Sequence, residues 1–245
     1  MKNKKINYRI RLLKHNLVSL INEYPHLIFP LKRLFSSNPN LIVNSNTDIV
    51  IDGYPRSANT FAVEAFLLSQ GRECNIAHHT HIPAQIIKAV KLQIPTMVLI
   101  RDPMDAVSSR AIFSPFIPID VALQDYINYY QVVLRNIDNI ELALFEEVIN
   151  NYGSVIKRIN FKFNTEFNLY ENNSENKKRV FERIERNNRM WSGKEKISEN
   201  TVARPSVERK QKKVEVMDEL KKQQEKLEVA RNLYEILIST FISSI

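Results

Sequence analysis

Cysteine is nearly absent from this 245-residue chain. Cys74 stands alone, so no intrachain disulfide can form, and a reducing compartment, the cytoplasm, is the simpler expectation. Cys74 itself reads as a buried small hydrophobe. Long apolar runs are missing as well. No stretch approaches the roughly 20 residues that span a bilayer, and the run at 18–21 is weak for a signal-peptide core. Repeats and low-complexity tracts are also absent.

What is present suffices for a full core. With 44% hydrophobic side chains, 245 residues fit one α/β domain better than two, so 1–245 reads as a single domain. A formal net charge of +8 and a sequence pI near 9.5 favour anionic ligands: nucleotides, sulfated or phosphorylated compounds, nucleic acid or an acidic membrane surface. Charge alone does not choose among them.

The chain is organised around Ile49-Val-Ile-Asp-Gly-Tyr-Pro-Arg-Ser-Ala-Asn-Thr-Phe61. The β-branched run at 49–51 predicts a buried strand, Gly53 and Pro55 a turn, and Asn59 and Thr60 the start of a helix. Strand, turn and helix deliver backbone N–H groups and a helix dipole to one point, with Arg56, Ser57, Asn59 and Thr60 around it. Such a point suits an anion. Gly53 and Thr60 hold the outer positions of the phosphate loop G-x-x-x-x-G-K-[ST], but Ala58 and Asn59 replace its inner Gly and its Lys. An ordinary ATP or GTP site is thereby disfavoured, and Arg56 offers a cation from a different place. An ordinary strand-to-helix turn is the competing reading.

Two further stretches carry chemistry. In 75–83, a short strand runs into a loop and Pro83 starts a helix over 84–91; His78, His79 and His81 fall here. A metal site is conceivable, yet no neighbouring Cys or carboxylate completes a ligand set. A histidine here can instead accept a proton from an alcohol, or serve as a hydrogen-bonded structural group. Farther on, 96–100 is a continuous apolar run that predicts a central parallel strand. Asp102 and Pro103 then cap a helix to about Arg110, leaving Arg101 at the carboxyl end of its strand, on the edge where ligands of open α/β sheets collect.

Tyr54-Pro-Arg-Ser-Ala-Asn-Thr-Phe61 resembles the Y-P-[KR]-S-G-[TN]-T-[WF] loop of sulfotransferases. His79-Thr-His-Ile-Pro83 resembles their K-T-H-L-P segment, and Arg101-Asp-Pro-Met-Asp-Ala-Val-Ser-Ser109 their R-[ND]-P-x-D-x-x-x-S element. The resemblance covers about 48–150. It implies a three-layer α/β/α fold with a central parallel sheet, similar to P-loop NTPases. By it, the 5′-phosphosulfate of 3′-phosphoadenosine 5′-phosphosulfate (PAPS) would lie on Arg56, Ser57, Ala58, Asn59 and Thr60. His81 would be the general base and Arg101 with Ser109 the 3′-phosphate grip. Phe61 and Phe145 would be stacking candidates for adenine, core packing being the alternative for both. His79 stands where the family has Lys, which leaves its catalytic role open. No metal is implied.

Elsewhere the reading is coarser. Residues 1–40 form a basic helical segment that either lies on an anionic membrane or, the preferred reading, packs on the domain with its cations in water. Leu41–Val43 suggests a short edge strand. Phe113 and Phe116 flank a loop that suits an acceptor pocket, and 121–136 a helix whose tyrosines belong to the core. A strand at 140–145, one basic helix over 148–163 and a solvated helix over 176–191 follow. Residues 192–213 read as a basic loop in which Arg204, Ser206 and Arg209 are weak cofactor candidates, because the R-K-G-x-x-G-D-W pattern of the family is not matched. A C-terminal helix runs within 214–245.

The expected function is transfer of a sulfuryl group from PAPS to a hydroxyl or amine of a small-molecule or glycan acceptor, in a cytoplasmic and at most membrane-peripheral protein, without nucleic acid. Two alternatives stand beside it. One is a P-loop kinase with Asp102 or Glu146 as metal carboxylate; the other is a non-catalytic polyanion binder. The sequence leaves the acceptor and the oligomeric state open.

Overall fold

The computed structural model describes residues 2–35, 38, 41–192 and 207–243. Helices α1 (Lys2–Ile21) and α2 (Pro25–Phe35) precede the first strand, β1 (Ile49–Gly53). Then come α3 (Asn59–Gln70), β2 (Ile76–His78), α4 (Pro83–Lys91), β3 (Thr96–Ile100), α5 (Pro103–Phe113) and α6 (Ile119–Arg135). A short 3-10 turn leads into β4 (Glu141–Leu144), and α7 (Phe145–Asn150), α8 (Tyr152–Phe163), α9 (Ser174–Ser192), α10 (Val207–Lys221) and α11 (Gln224–Ser243) complete the chain.

The four strands make one parallel sheet in the order β2-β1-β3-β4. All five residues of β1 and of β3 are buried, as expected of central strands covered on both faces by helices. One layer packs β3 residues Val98 and Ile100 against α5, α6 and α11, with Tyr126, Tyr130 and Leu237 at its centre. The other packs Ile49, Ile51, Met97 and Leu99 against α3, α8 and α9. The fold is thus the expected three-layer α/β/α sandwich around a parallel sheet.

Parallel register decides where the loops emerge. Gly53 pairs with Leu99 and Ile100 with Leu144, so the segments after β1, β3 and β4 leave at one rim. The chain steps from β1 to β2 on one side and then to β3 on the other, which makes β1/β3 the switch point where α/β sheets open a crevice. Gly53 allows this close pairing. A Cβ there would lie 2.4 Å from the Leu99 carbonyl oxygen.

Several expected elements differ. Residues 41–43 are not a strand, because the Gln85 side chain takes the place of a neighbouring one: its Oε1 accepts from Val43 N at 3.1 Å and its Nε2 donates to Leu41 O at 2.8 Å. The single helix expected over 148–163 is α7 and α8, broken at Asn151, and Gly153 then lets the Tyr170 carbonyl approach to 2.5 Å of where a Cβ would stand. Helix α9 is not simply solvated, since Val180 and Ile184 are buried against α3 and Arg183 pairs with Glu64 at 2.8 Å. The end of the expected 192–213 loop is helical, as the first part of α10. The C-terminal helix expected over 214–245 is the end of α10 and α11, broken by a turn at 222–223. Cys74 is half-buried, not enclosed.

Candidate functional site

A cleft of about 630 Å³ opens at the carboxyl rim of the sheet. Arg56, Ala58, Asn59, Thr60, Phe61, His79, His81, Arg101, Ser109 and Phe145 all line it. Its first component is the turn after β1. Arg56 and Ala58 both have left-handed backbones, with φ of 75° and 69°. Non-glycine residues adopt such φ at a cost of roughly 1–2 kcal/mol each, so the loop holds a shape that glycine would adopt more easily. Ala58 ends this turn as the residue before α3 and supplies no side-chain cap. Ala58 thus offers no side-chain acceptor to the leading N–H groups of α3, at the positive end of the helix.

Two arginines line the cleft beside that turn. Arg56 Nε donates to Ser109 Oγ at 3.1 Å, and Arg101 Nη1 donates to the Arg56 carbonyl at 3.2 Å. The Arg101 guanidinium lies 4.0 Å above the Phe145 ring and also reaches Asp105, 3.5 Å away. Its Nε is buried without a partner among the described residues. Arg56 stands 5.1 Å over the Phe113 ring. Asp105 in turn pairs with Lys213 of α10, another residue of the cleft wall. These two contacts hold the Asp105 carboxyl below the usual range, although its partial burial works the other way.

The third component is the histidine segment, and it hangs on a buried carboxylate. Asp52, fully enclosed at the end of β1, accepts from Gly53 N at 2.9 Å, Thr80 N at 3.1 Å and Thr80 Oγ1 at 2.6 Å. It also accepts from His81 N at 3.2 Å. Burial alone would raise its pKa; the hydrogen bonds and charge of its partners, His81 foremost, outweigh that and hold it at about 2. Lys32 of α2 fixes the same segment by donating to Thr80 O at 2.9 Å.

His81 Nδ1 lies 2.7 Å from the Gly53 carbonyl oxygen. A carbonyl only accepts, so Nδ1 carries the proton and the neutral ring keeps its lone pair on Nε2. His81 lines the cleft. His79 is built differently. Its Nδ1 is 2.5 Å from His78 Nδ1, and its Nε2 shares a hydrogen bond of 3.0 Å with Thr60 Oγ1. Burial, with the neighbouring His81 and His78, pushes its pKa down to about 3. His79 is therefore neutral near pH 7 and does not replace the cation that a Lys would supply.

Other expected site residues sit differently as well. The Ser57 side chain is fully buried and does not line the cleft; only its backbone belongs to the turn. Asn59 turns its amide inward, Nδ2 donating to Tyr54 O at 3.1 Å. Phe61 lines the cleft but is only 5% exposed, its ring near-perpendicular to that of Tyr170 and tilted against that of Phe181. One face of Phe145 already carries Arg101. Phe113 lines the cleft and Phe116 does not; Phe116 packs against Tyr8 and Arg11 of α1. Asp102 is spent capping α5, accepting from Asp105 N at 3.1 Å, and the exposed Glu146 does not line the cleft. Arg204, Ser206 and the Arg209 side chain lie outside the described residues.

Asp52, Lys32, Lys213, Phe181 and Ile184 are the contributors that sequence reasoning missed. A lone carboxylate ending an apolar strand, Ile49-Val-Ile-Asp52, was the one available signal. The others come from elements whose packing has no local code. Among the described residues no group of His, Cys, Asp and Glu is placed to hold a metal ion.

No protein-family model matches the sequence, and no curated protein does. Among solved structures, a mouse sulfotransferase complexed with PAP is similar at 16% identity, over 81% of this chain and 90% of that chain, with a TM-score of 0.43. A likeness at that level decides nothing about activity.

Proposed function

We propose that this protein transfers a sulfuryl group from PAPS to a hydroxyl or amine acceptor. One observation carries the reading: Arg56, in the turn before α3, bonds Ser109 of α5 through its side chain and Arg101, after β3, through its carbonyl, all in the cleft that His81 also lines. Two guanidinium groups and an uncapped helix end suit a ligand with two separate phosphates. A single phosphate would need only one of them. The three loop motifs that resemble sulfotransferases are the segments that meet here.

In this reading Arg56 and the N–H groups of α3 bind the 5′ end and take up negative charge as the bond from sulfur to the 5′-phosphate oxygen breaks. Arg101 holds the 3′-phosphate, so that binding energy remote from the reaction positions the reacting end. His81 Nε2 accepts the proton of the acceptor as its oxygen or nitrogen bonds to sulfur, and Asp52 keeps the ring aimed. Phe113 and Ser114 form part of the acceptor side. Asn59 in place of the P-loop lysine weighs against a kinase.

The test is release of adenosine 3′,5′-bisphosphate from PAPS in the presence of phenols, sugars and amines. His81→Ala is expected to lower release by roughly 10²–10⁴-fold while nucleotide affinity stays nearly constant. Equal turnover in the variant, or turnover lost only in proportion to affinity, would remove His81 from the role. Calorimetry with Mg-ATP and with heparin separates the rivals: tighter binding of either than of the bisphosphate contradicts the proposal.

A further inference from the structure

We propose that α1 and α2 form a docking surface for an anionic lipid bilayer. The proposal stands apart from the sulfuryl-transfer reading and rests on where apolar surface and charge lie. Eight of the eighteen exposed large apolar side chains among the described residues belong to these two helices, and Tyr24 lies in the turn between them. On α1, Ile10, Leu13, Leu17 and Leu20 are each more than half exposed. At 100° per residue they fall within an arc of about 80°. The other side of α1 is the one that packs on the domain: His15 Nε2 and Ser19 Oγ bond Asp125 at 2.8 and 3.3 Å. Helix α2 repeats the arrangement, with Leu27, Leu31 and Leu34 outward and Ile28 and Phe29 in the core.

Charge names the occupant. Residues 1–35 contain eight Lys and Arg and one carboxylate, Glu23, so this segment holds +7 of the formal +8 of the chain. Arg9 and Lys14 flank the leucine stripe of α1 by helical spacing. A second copy meeting this face would set like charges against each other. A nucleic acid would satisfy the cations and leave the leucines in water. Anionic headgroups above acyl chains satisfy both. No helix among the described residues is long and apolar enough to cross a membrane, which fits a helix lying in the interface. Both helices are tied to the cleft, α1 through Asp125 to Arg110 at 3.0 Å and α2 through Lys32 to Thr80 O, so docking would hold the cleft at the bilayer surface.

The experiment is co-sedimentation of the full chain with phosphatidylcholine vesicles, with and without phosphatidylserine. Binding to the phosphatidylserine vesicles only, weakened by salt, is expected. Leu13→Ser with Leu17→Ser should weaken it more than about tenfold, and Arg9→Glu by about fivefold or more, with circular dichroism and nucleotide affinity unchanged. A wild-type chain that stays in the supernatant overturns the proposal. So does equal binding by the leucine variant, or a dimer in sedimentation velocity that the same variant dissociates, which would assign the face to a second copy.

Discussion

At the residue scale the site depends on groups that bear no charge toward the ligand. Gly53 is one: with the Leu99 carbonyl 2.4 Å from a Cβ position, Gly53→Ala must push β1 from β3. A loss of about 2–3 kcal/mol in urea denaturation is expected, and a change under about 0.5 kcal/mol would show that the strands have slack. His79 is another. Between about pH 6.5, where a solvated imidazole titrates, and about 3, the unfolded chain binds a proton at position 79 that the folded chain refuses. Acidification through that window therefore destabilises the fold. Asp52 acts in the same sense at lower pH: its contribution is complete above about 3.9, the unfolded value, and is lost as pH falls toward about 2. The melting temperature of His79→Gln should fall less than that of the wild type between pH 7 and 5; superimposable curves would contradict the assignment of His79 as a buried neutral ring. The loop motifs singled out Arg56, Arg101 and His81, and all three line one cleft. The motifs did not reveal that Asn59 and Ser57 turn inward, since a side chain's direction depends on the tight turn at Arg56 and Ala58.

At the element scale, α9 separates what periodicity can and cannot say. Its mixed charge suggested a solvated helix, yet Ile184 is 3% exposed and packs beneath the cleft against α3. Ile184→Ala should cost about 2–4 kcal/mol, whereas a solvated position would lose under about 0.5; chemical denaturation distinguishes the two. The strands and the helices opened by Pro83 and Pro103 were legible, because proline at a first helical turn and unbroken β-branched runs carry local instructions. The breaks at Asn151 and at 222–223 were not. They lack proline, and the helices on either side of each break return to one core cluster, α7 and α8 beside α3 and α10 and α11 beside α6, a tertiary demand with no local code. The 41–43 segment failed for a related reason: a distant glutamine supplied what a strand partner would have.

At the scale of the whole molecule, one arrangement underlies the proposed activity. A parallel sheet sends every βα turn to one rim, and the order β2-β1-β3-β4 places the Arg56 and Arg101 turns side by side at its switch point. That convergence was foreseeable from Arg101 following an apolar run, and its i,i+4 pairing with Asp105 from their spacing; its seat on Phe145 was not. The most direct test is calorimetry of adenosine 3′,5′-bisphosphate and of 5′-AMP with the wild type and with Arg101→Ala. The wild type should prefer the bisphosphate by roughly 10–150-fold, the worth of a charge-assisted contact, and Arg101→Ala should erase that preference while binding 5′-AMP as before. Equal loss of both ligands, or a wild type indifferent to the 3′-phosphate, would contradict it.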